Sequence, residues 1–355
     1  MPTIEADLQI SHGEAGSLFL FTSLGYFISL MCSGFVSSQL NHRRTILLSA
    51  VAVGLVMLSF NFFENIWAIR LDLLLLGLAA GLYLPSGIAT LTALVNPQNW
   101  GKALAMHEMA PNLGFVLAPL FSVAVLSLFS WKGATTILSV LSFAAVLAFM
   151  RFGQGGRFNG QAPSLKAVKS LFFLRSFWIM IFLFGLAIAG SLGIYTMLPL
   201  YLVTEHGFDQ DWANTLVALS RILGVGAALA SGWASDRFGP LRILKLVLFL
   251  SGLFTIGLGL TGHLSLICLV FLQPLVTVCF FPPGFALLST VGPESSRNLV
   301  VSLTAPAAFT LGGGLIPILI GLSGDAGSFA SGLVLVGVLI LLGLLLIRAL
   351  PRPDL

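Results

Sequence analysis

Gly34 opens the stretch GFVSSQLNHRR, and Gly232 opens GWASDRFGPLR 198 positions later. The same spacing joins Pro85 in LYLPSG to Pro283 in FFPPGF, and Pro119 in LAPLF to Pro317 in LIPIL. Three anchors at one spacing, spread over about eighty residues, mark a duplicated unit. A duplication constrains the fold severely. Each copy has to form the same helices, and the two copies have to pack as a pseudo-symmetric pair.

Composition sets the solvent of that pair. The chain has 355 residues, 57% of them hydrophobic and 8% charged, with a mean hydropathy of +1.02. A soluble domain carries about a quarter charged residues and could not cover its surface with so few. The class is therefore a polytopic membrane protein. The 38 glycines suit helices that approach closely in lipid. Cys32, Cys268 and Cys279 lie inside apolar stretches, so neither a disulfide framework nor a metal-ligand spacing is implied. About twenty apolar residues cross a bilayer as a helix. That ruler gives eleven spans, near residues 15–36, 45–63, 67–95, 102–129, 133–150, 177–203, 212–235, 241–261, 264–290, 298–322 and 329–347. The long polar segment between the fifth and sixth spans is Gly-rich and then basic. Its second part is expected to lie as an amphipathic helix on the membrane surface.

Alternating spans place Arg43, Arg44, Lys102, Arg151, Arg157, Lys166, Lys169, Arg175, Arg237, Arg242, Lys245, Arg297, Arg348 and Arg352 on one side. These are fourteen of the seventeen Lys and Arg residues. The opposite loops hold Glu5, Asp7, Glu14, Glu64, Glu205, Asp209, Asp211 and Asp325, with Lys132 as their basic residue. The positive-inside rule makes the basic side cytoplasmic. The expectation is a multi-pass protein of the cell's inner (cytoplasmic) membrane, with linker and C-terminus inside.

The segment GWASDRFGPLR resembles the loop signature G-x-L-a-D-r-x-G-r-r of the major facilitator superfamily, through Gly232, Asp236, Arg237, Gly239 and Arg242. The first copy keeps Gly34, Arg43 and Arg44, but Ser38 replaces the acid and Asn41 the glycine. The resemblance implies an all-α integral membrane bundle of two pseudo-repeated six-helix halves. Residues 1–150 would be helices 2–6, residues 151–176 a cytoplasmic linker, and residues 177–355 helices 7–12 with a short tail. Shifting the span at 177–199 back by 198 lands before residue 1. The expectation is thus eleven spans here, with the first helix of the pattern absent and residues 1–13 forming its outer end. The resemblance further implies secondary transport by rocking of the two halves. Gly34, Arg43, Arg44, Gly232, Asp236, Arg237, Gly239 and Arg242 would then form a cytoplasmic gate, with charges that pair in one state only. An exporter-type pattern in the family's fifth helix is partly met: Gly114 and Pro119 fit, whereas Ala118 and Ser122 stand where glycines are expected.

Polar groups inside apolar spans are expensive and so point to function. Arg221 lies fifteen residues before Asp236, about 22 Å along a helix. At that depth a guanidinium needs a partner or a wet cavity, and it suits a solute carboxylate or phosphate. Asn214 lies one heptad before it. Tyr83, Tyr195, Gln273 and Asn112 are further candidates for solute contact. Tyr201 reads as an interface-belt aromatic. Glu108, beside His107, is the leading proton-coupling candidate, since a buried carboxyl and an imidazole exchange protons near neutrality. Asp72 is the third. Pro85, Pro119, Pro283 and Pro317 remove backbone donors inside spans and read as hinges.

The implied partners are a small, anionic solute, the bilayer and protons, with the chain acting as a monomer and without a cofactor. No GxSxG, HExxH, paired-Asp or P-loop pattern supports an enzyme. The basic groups are spread over separate loops and do not form a nucleic-acid footprint. The competing reading is a receptor or scaffold of the same fold that moves nothing, or a degenerate, truncated transporter.

Overall fold

A computed structural model describes residues 2–162, 169, 171–291 and 297–350. The side chains of residues 97, 100–102, 105, 108, 112, 225, 263 and 297–299 lie outside that description. So does most of the linker's second part, on which the amphipathic helix was expected.

The described residues of the apolar spans are helical apart from a few short breaks. The first helices are α1 (Pro2–Leu8), α2 (His12–Leu40), α3 (His42–Ser59), α4 (Ile66–Gly81), α5 (Tyr83–Leu94), α6 (Trp100–Leu126) and α7 (Trp131–Phe152). After the linker come α8 (Arg175–Ile188), a π-helical turn (Ala189–Gly193), α9 (Ile194–Thr204), α10 (Gln210–Ser220), α11 (Gly224–Phe238) and α12 (Pro240–Leu260). They are followed by α13 (His263–Val278), α14 (Phe281–Leu288), α15 (Arg297–Phe309), a second π-helical turn (Thr310–Leu315), α16 (Ile316–Asp325) and α17 (Phe329–Arg348). Among the described residues, ten helical segments are long and apolar enough to cross a bilayer. The expected span at 212–235 is not among them, because the chain breaks helix at residues 221–223. The amides of Arg221 and Ile222 bond three residues back, to Ala218 and Leu219, at 3.2 Å each.

The chain divides into two compact units, residues 21–164 and residues 1–20 with 165–355. In the first, α2 and α4 cross on glycine. A Cβ on Gly25 would collide with the Leu74 carbonyl, and one on Gly77 with the Thr22 carbonyl. Serine hydroxyls donate between helices. Ser49 reaches the Ala79 carbonyl at 2.6 Å, Ser139 that of Gly54 at 2.7 Å and Ser142 that of Ala50 at 2.8 Å. Small residues and hydroxyls are what hold helices together where the surrounding lipid is as apolar as the side chains.

The second unit uses the same devices. α12 and α17 pack through Gly252 and Gly337. Two acids of the acidic loops cap helices far away in sequence. Asp325 accepts from the amides of His12 at 2.7 Å and Gly13 at 2.8 Å, at the start of α2. Glu205 accepts from the amides of Phe329 and Ala330, at the start of α17. A carboxylate there satisfies orphan amides and complements the helix dipole. Tyr201, expected at the membrane interface, is 1% exposed instead. Its hydroxyl donates to the Leu258 carbonyl at 2.7 Å, and its ring packs on His206.

The repeat is visible in the backbone. Helix breaks at Leu82 between α4 and α5, and at Cys279 and Phe280 between α13 and α14. Both breaks precede the paired prolines Pro85 and Pro283. Proline lacks the amide that would close the turn four residues back. At Pro283 that residue is Cys279, whose carbonyl accepts from the Ser231 hydroxyl at 2.6 Å. The other pair differs. α6 runs unbroken through Pro119, whereas Pro317 follows the second π-helical turn. Gly239 has φ +88°, and Asn41, its counterpart in the first copy, has φ +69°. The worn loop therefore keeps the turn while losing the glycine.

Candidate functional site

The second unit gathers the deep polar residues around the first π-helical turn. A π turn widens the helix and releases carbonyls from their usual amide partners. Arg221 sits in the break between α10 and α11, half-buried. Its Nη2 donates to the Ser191 carbonyl, inside the π turn. Its guanidinium carbon lies 4.2 Å from the centre of the Tyr195 ring, which stands at the start of α9. Cation and ring face at this distance attract, and more strongly away from water. Arg221 and Tyr195, singled out separately in the sequence, thus form one site. Gly226 is exposed, and a Cβ on it would meet nothing within 4 Å, so the segment just past Arg221 is open. Chemically, the arrangement offers a fixed positive charge held against an aromatic face at a helix break.

Gln273 is not at that open face. It is 2% exposed in α13, and its Nε2 lies 2.8 Å from the Gly190 carbonyl and 3.2 Å from the hydroxyls of both Thr255 and Thr277. Its donors are consumed inside the unit, which corrects the expectation of a solute contact. Asn214 is half-buried in α10, one heptad before Arg221. The helix break between Arg221 and Gly224 interrupts the face that the heptad spacing would have made continuous to Ser235.

In the first unit, Tyr83 of α5 and His107 of α6 come together. Their rings stack at 5.8 Å with 10° between planes, and Oη lies 3.2 Å from Nε2. Glu108 and Asn112 lie among the side chains outside the described set. Asp72 is 4% exposed on α4, and its Oδ2 has no hydrogen-bond partner among the described residues. Near it, the Arg70 guanidinium lies 4.5 Å from the Trp67 ring centre and 5.7 Å from that of Phe21.

The expected gate residues stand as follows. Asp236 and Arg237 are exposed near the end of α11, with Arg237 over the rings of Trp233 and Phe238 at 5.5 and 5.7 Å. Gly239 ends that helix, and Gly232 lies within it against Pro282. Arg242 begins α12 and Gly34 lies in α2. Arg43 is committed elsewhere. It donates to the carbonyls of Gly153 at 2.7 Å and of Phe149 and Met150 at 3.2 Å, closing the end of α7.

The sequence reading missed the strap that accompanies Arg43. The linker residues after α7 lie along the start of α3. The amide of Arg43 donates to Gly156 at 2.7 Å, that of His42 to Phe158 at 3.2 Å, and that of Gly160 to Ser37 at 3.0 Å. His42 is 8% exposed, with Nδ1 3.2 Å from the Ser86 hydroxyl and its ring edge on Phe158. The signal was the glycine run GQGG, in which Gly155 and Gly156 have φ +74° and +70°. An open groove of about 480 Å³ between α8, α16 and α17, lined by Phe182, Leu186, Ala189, Leu311, Leu342 and Leu346, is wholly apolar. It offers nothing to an anion.

A duplicated helical membrane bundle, with proline breaks at matching positions and a deep arginine at a helix break, defines the class as a multi-pass carrier fold. The sequence matches the family model of the Major Facilitator Superfamily over residues 1–305, and the chain belongs to that family. It is 24% identical over 315 residues to the membrane sensor protein UhpC of Escherichia coli K12, an alignment covering 80% of this chain and 69% of the sensor. It is 24% identical over 296 residues to a gallate transporter of Pseudomonas putida, covering 73% of this chain and 65% of that protein. Among solved structures it is similar to a bacterial homolog of the human lysosomal transporter Spinster in an inward-facing, occupied conformation. The TM-score is 0.83 at 14% identity, over 98% of this chain and 91% of that one. That likeness is one of fold. The family is one of membrane transporters and not of enzymes, with the E. coli sensor among the relatives, and the chain is a multi-pass membrane protein of that family.

Proposed function

We propose that this chain carries a small organic anion across the membrane by alternating access, with Arg221 holding the anion's negative group and Tyr195 its apolar body. One observation supports this most: a deep guanidinium set on an aromatic face at a break in its helix. A carboxylate would compete with the Ser191 carbonyl for the same donors, and it can take two parallel bonds from the guanidinium fork where a carbonyl takes one. The gallate transporter relative fits an aromatic carboxylate as the first probe. In this reading protons drive the cycle. Asp72, the Tyr83–His107 pair and Glu108 are the candidate carriers. The basic loops face the cytoplasm, where Asp236, Arg237 and Arg242 gate the pathway. The breaks before Pro85 and Pro283, with Pro119 and Pro317, serve as hinges. The chain works as a monomer.

The test is uptake of labelled gallate by proteoliposomes, with and without an inward proton gradient. Uptake that the gradient accelerates, and that Asp72→Asn or His107→Gln uncouples from it, is the expected result. A second reading is favoured by the E. coli relative, which is a membrane sensor. A protein that binds the anion at Arg221 and never moves it would establish that reading and end the first.

A further inference from the structure

Two adjacent carbonyls of the π-helical turn are used by two different side chains. Gly190 takes the Gln273 amide at 2.8 Å, and Ser191 takes the Arg221 guanidinium. Adjacent carbonyls of a helical turn are rotated about its axis, so the two donors come from different sides. Gln273 is held firmly. The second N–H of its Nε2 is shared between the hydroxyls of Thr255 and Thr277, and the Thr277 hydroxyl donates to the Gln273 backbone carbonyl at 2.8 Å. Ser251 lies 2.8 Å from that same hydroxyl. The turn is pressed onto this network. A Cβ on Gly190 would stand 3.0 Å from Thr277 Cγ2 and 3.3 Å from Ser251 Oγ. A buried polar network with every member satisfied is rigid, and it fixes whatever it bonds to.

We propose that Gln273 is a positioning residue for Arg221. By fixing the π turn through the Gly190 carbonyl, it sets the Ser191 carbonyl where that group holds the guanidinium over Tyr195. Gln273 touches no solute. The assignment deepens the reading of Arg221 as the anion-holding residue and rests on it.

The test needs no solute. The full chain in detergent is treated with phenylglyoxal, and modification of Arg221 is followed by peptide mass spectrometry, with exposed Arg237 as internal reference. Gln273→Met keeps the side chain's length and removes its donors. It raises the Arg221 rate by about fivefold, the shift expected from losing one ordinary hydrogen bond, and leaves Arg237 unchanged. Tyr201→Phe is the structural control. It deletes another buried bond of the same unit, to Leu258, lowers thermal stability, and leaves the Arg221 rate at the wild-type value. Should Gln273→Met not fold, Thr255→Val removes one acceptor of the amide and gives a smaller rise in the same direction. An Arg221 rate unchanged by these variants, or raised equally by Tyr201→Phe, overturns the proposal. An Arg221 whose labelling responds as expected, in a protein that binds no anion, sinks the solute reading alone.

Discussion

At the scale of single residues, the two copies of the loop show what a mutation wears away and what the backbone keeps. Gly239 and Asn41 both sit at positive φ, with ψ of 140° and 163°. Glycine enters this region freely, and other residues pay about 1–3 kcal/mol for it. Asn41 recovers part of that through its side chain, which accepts from the Arg44 amide at 3.0 Å and caps α3. Exchanging such a cap for glycine costs only a few tenths of a kcal/mol. Asn41→Gly is therefore expected to raise the melting temperature in detergent, and Gly239→Asn to lower it. A fall with Asn41→Gly would mean that the cap outweighs the strain. The sequence pointed to this loop because charge, glycine and spacing are one-dimensional signals. It could not show that Gln273 faces inward, since a lone polar residue in an apolar helix reads alike whether it meets a cavity or three neighbours.

At the scale of elements, proline made the breaks before Pro85 and Pro283 legible. The first π turn had no such mark, and at the second Pro317 follows the turn without showing that it widens. AGSLG and TLGGGL are small-residue stretches like many others in the chain, and their widened turns are set by contacts between distant helices. A Cβ on Gly193 would strike the Gly312 carbonyl, which joins the two turns directly. The break at Arg221 was hidden likewise, because one apolar run continues through it. The linker strap is the element most open to test. Gly156 is buried at φ +70°, and a Cβ there would stand 2.8 Å from Thr90 Oγ1 and 2.9 Å from the Arg43 amide. Gly156→Ala adds both strain and collision, so the strap detaches. Trypsin cleavage after Arg157 is then expected to quicken by about tenfold or more. Cleavage at the wild-type rate would show that the strap holds by other contacts.

At the scale of the whole molecule, composition fixed the solvent, the 198-residue repeat fixed the architecture, and the loop signature fixed the family, which the match over residues 1–305 establishes. What a carrier of this family carries is written in a few side chains that meet only in three dimensions. In the proposed reading those are Arg221, Tyr195 and the turn behind them. The most direct measurement is an equilibrium titration of the purified protein and of Arg221→Ala with gallate and with its neutral amide, read by intrinsic fluorescence. The wild type is expected to bind the anion and reject the amide. Arg221→Ala is expected to lose at least about tenfold in affinity, the effect of removing a charged hydrogen-bond donor. Anion binding that is equally tight without Arg221 would contradict the proposed reading.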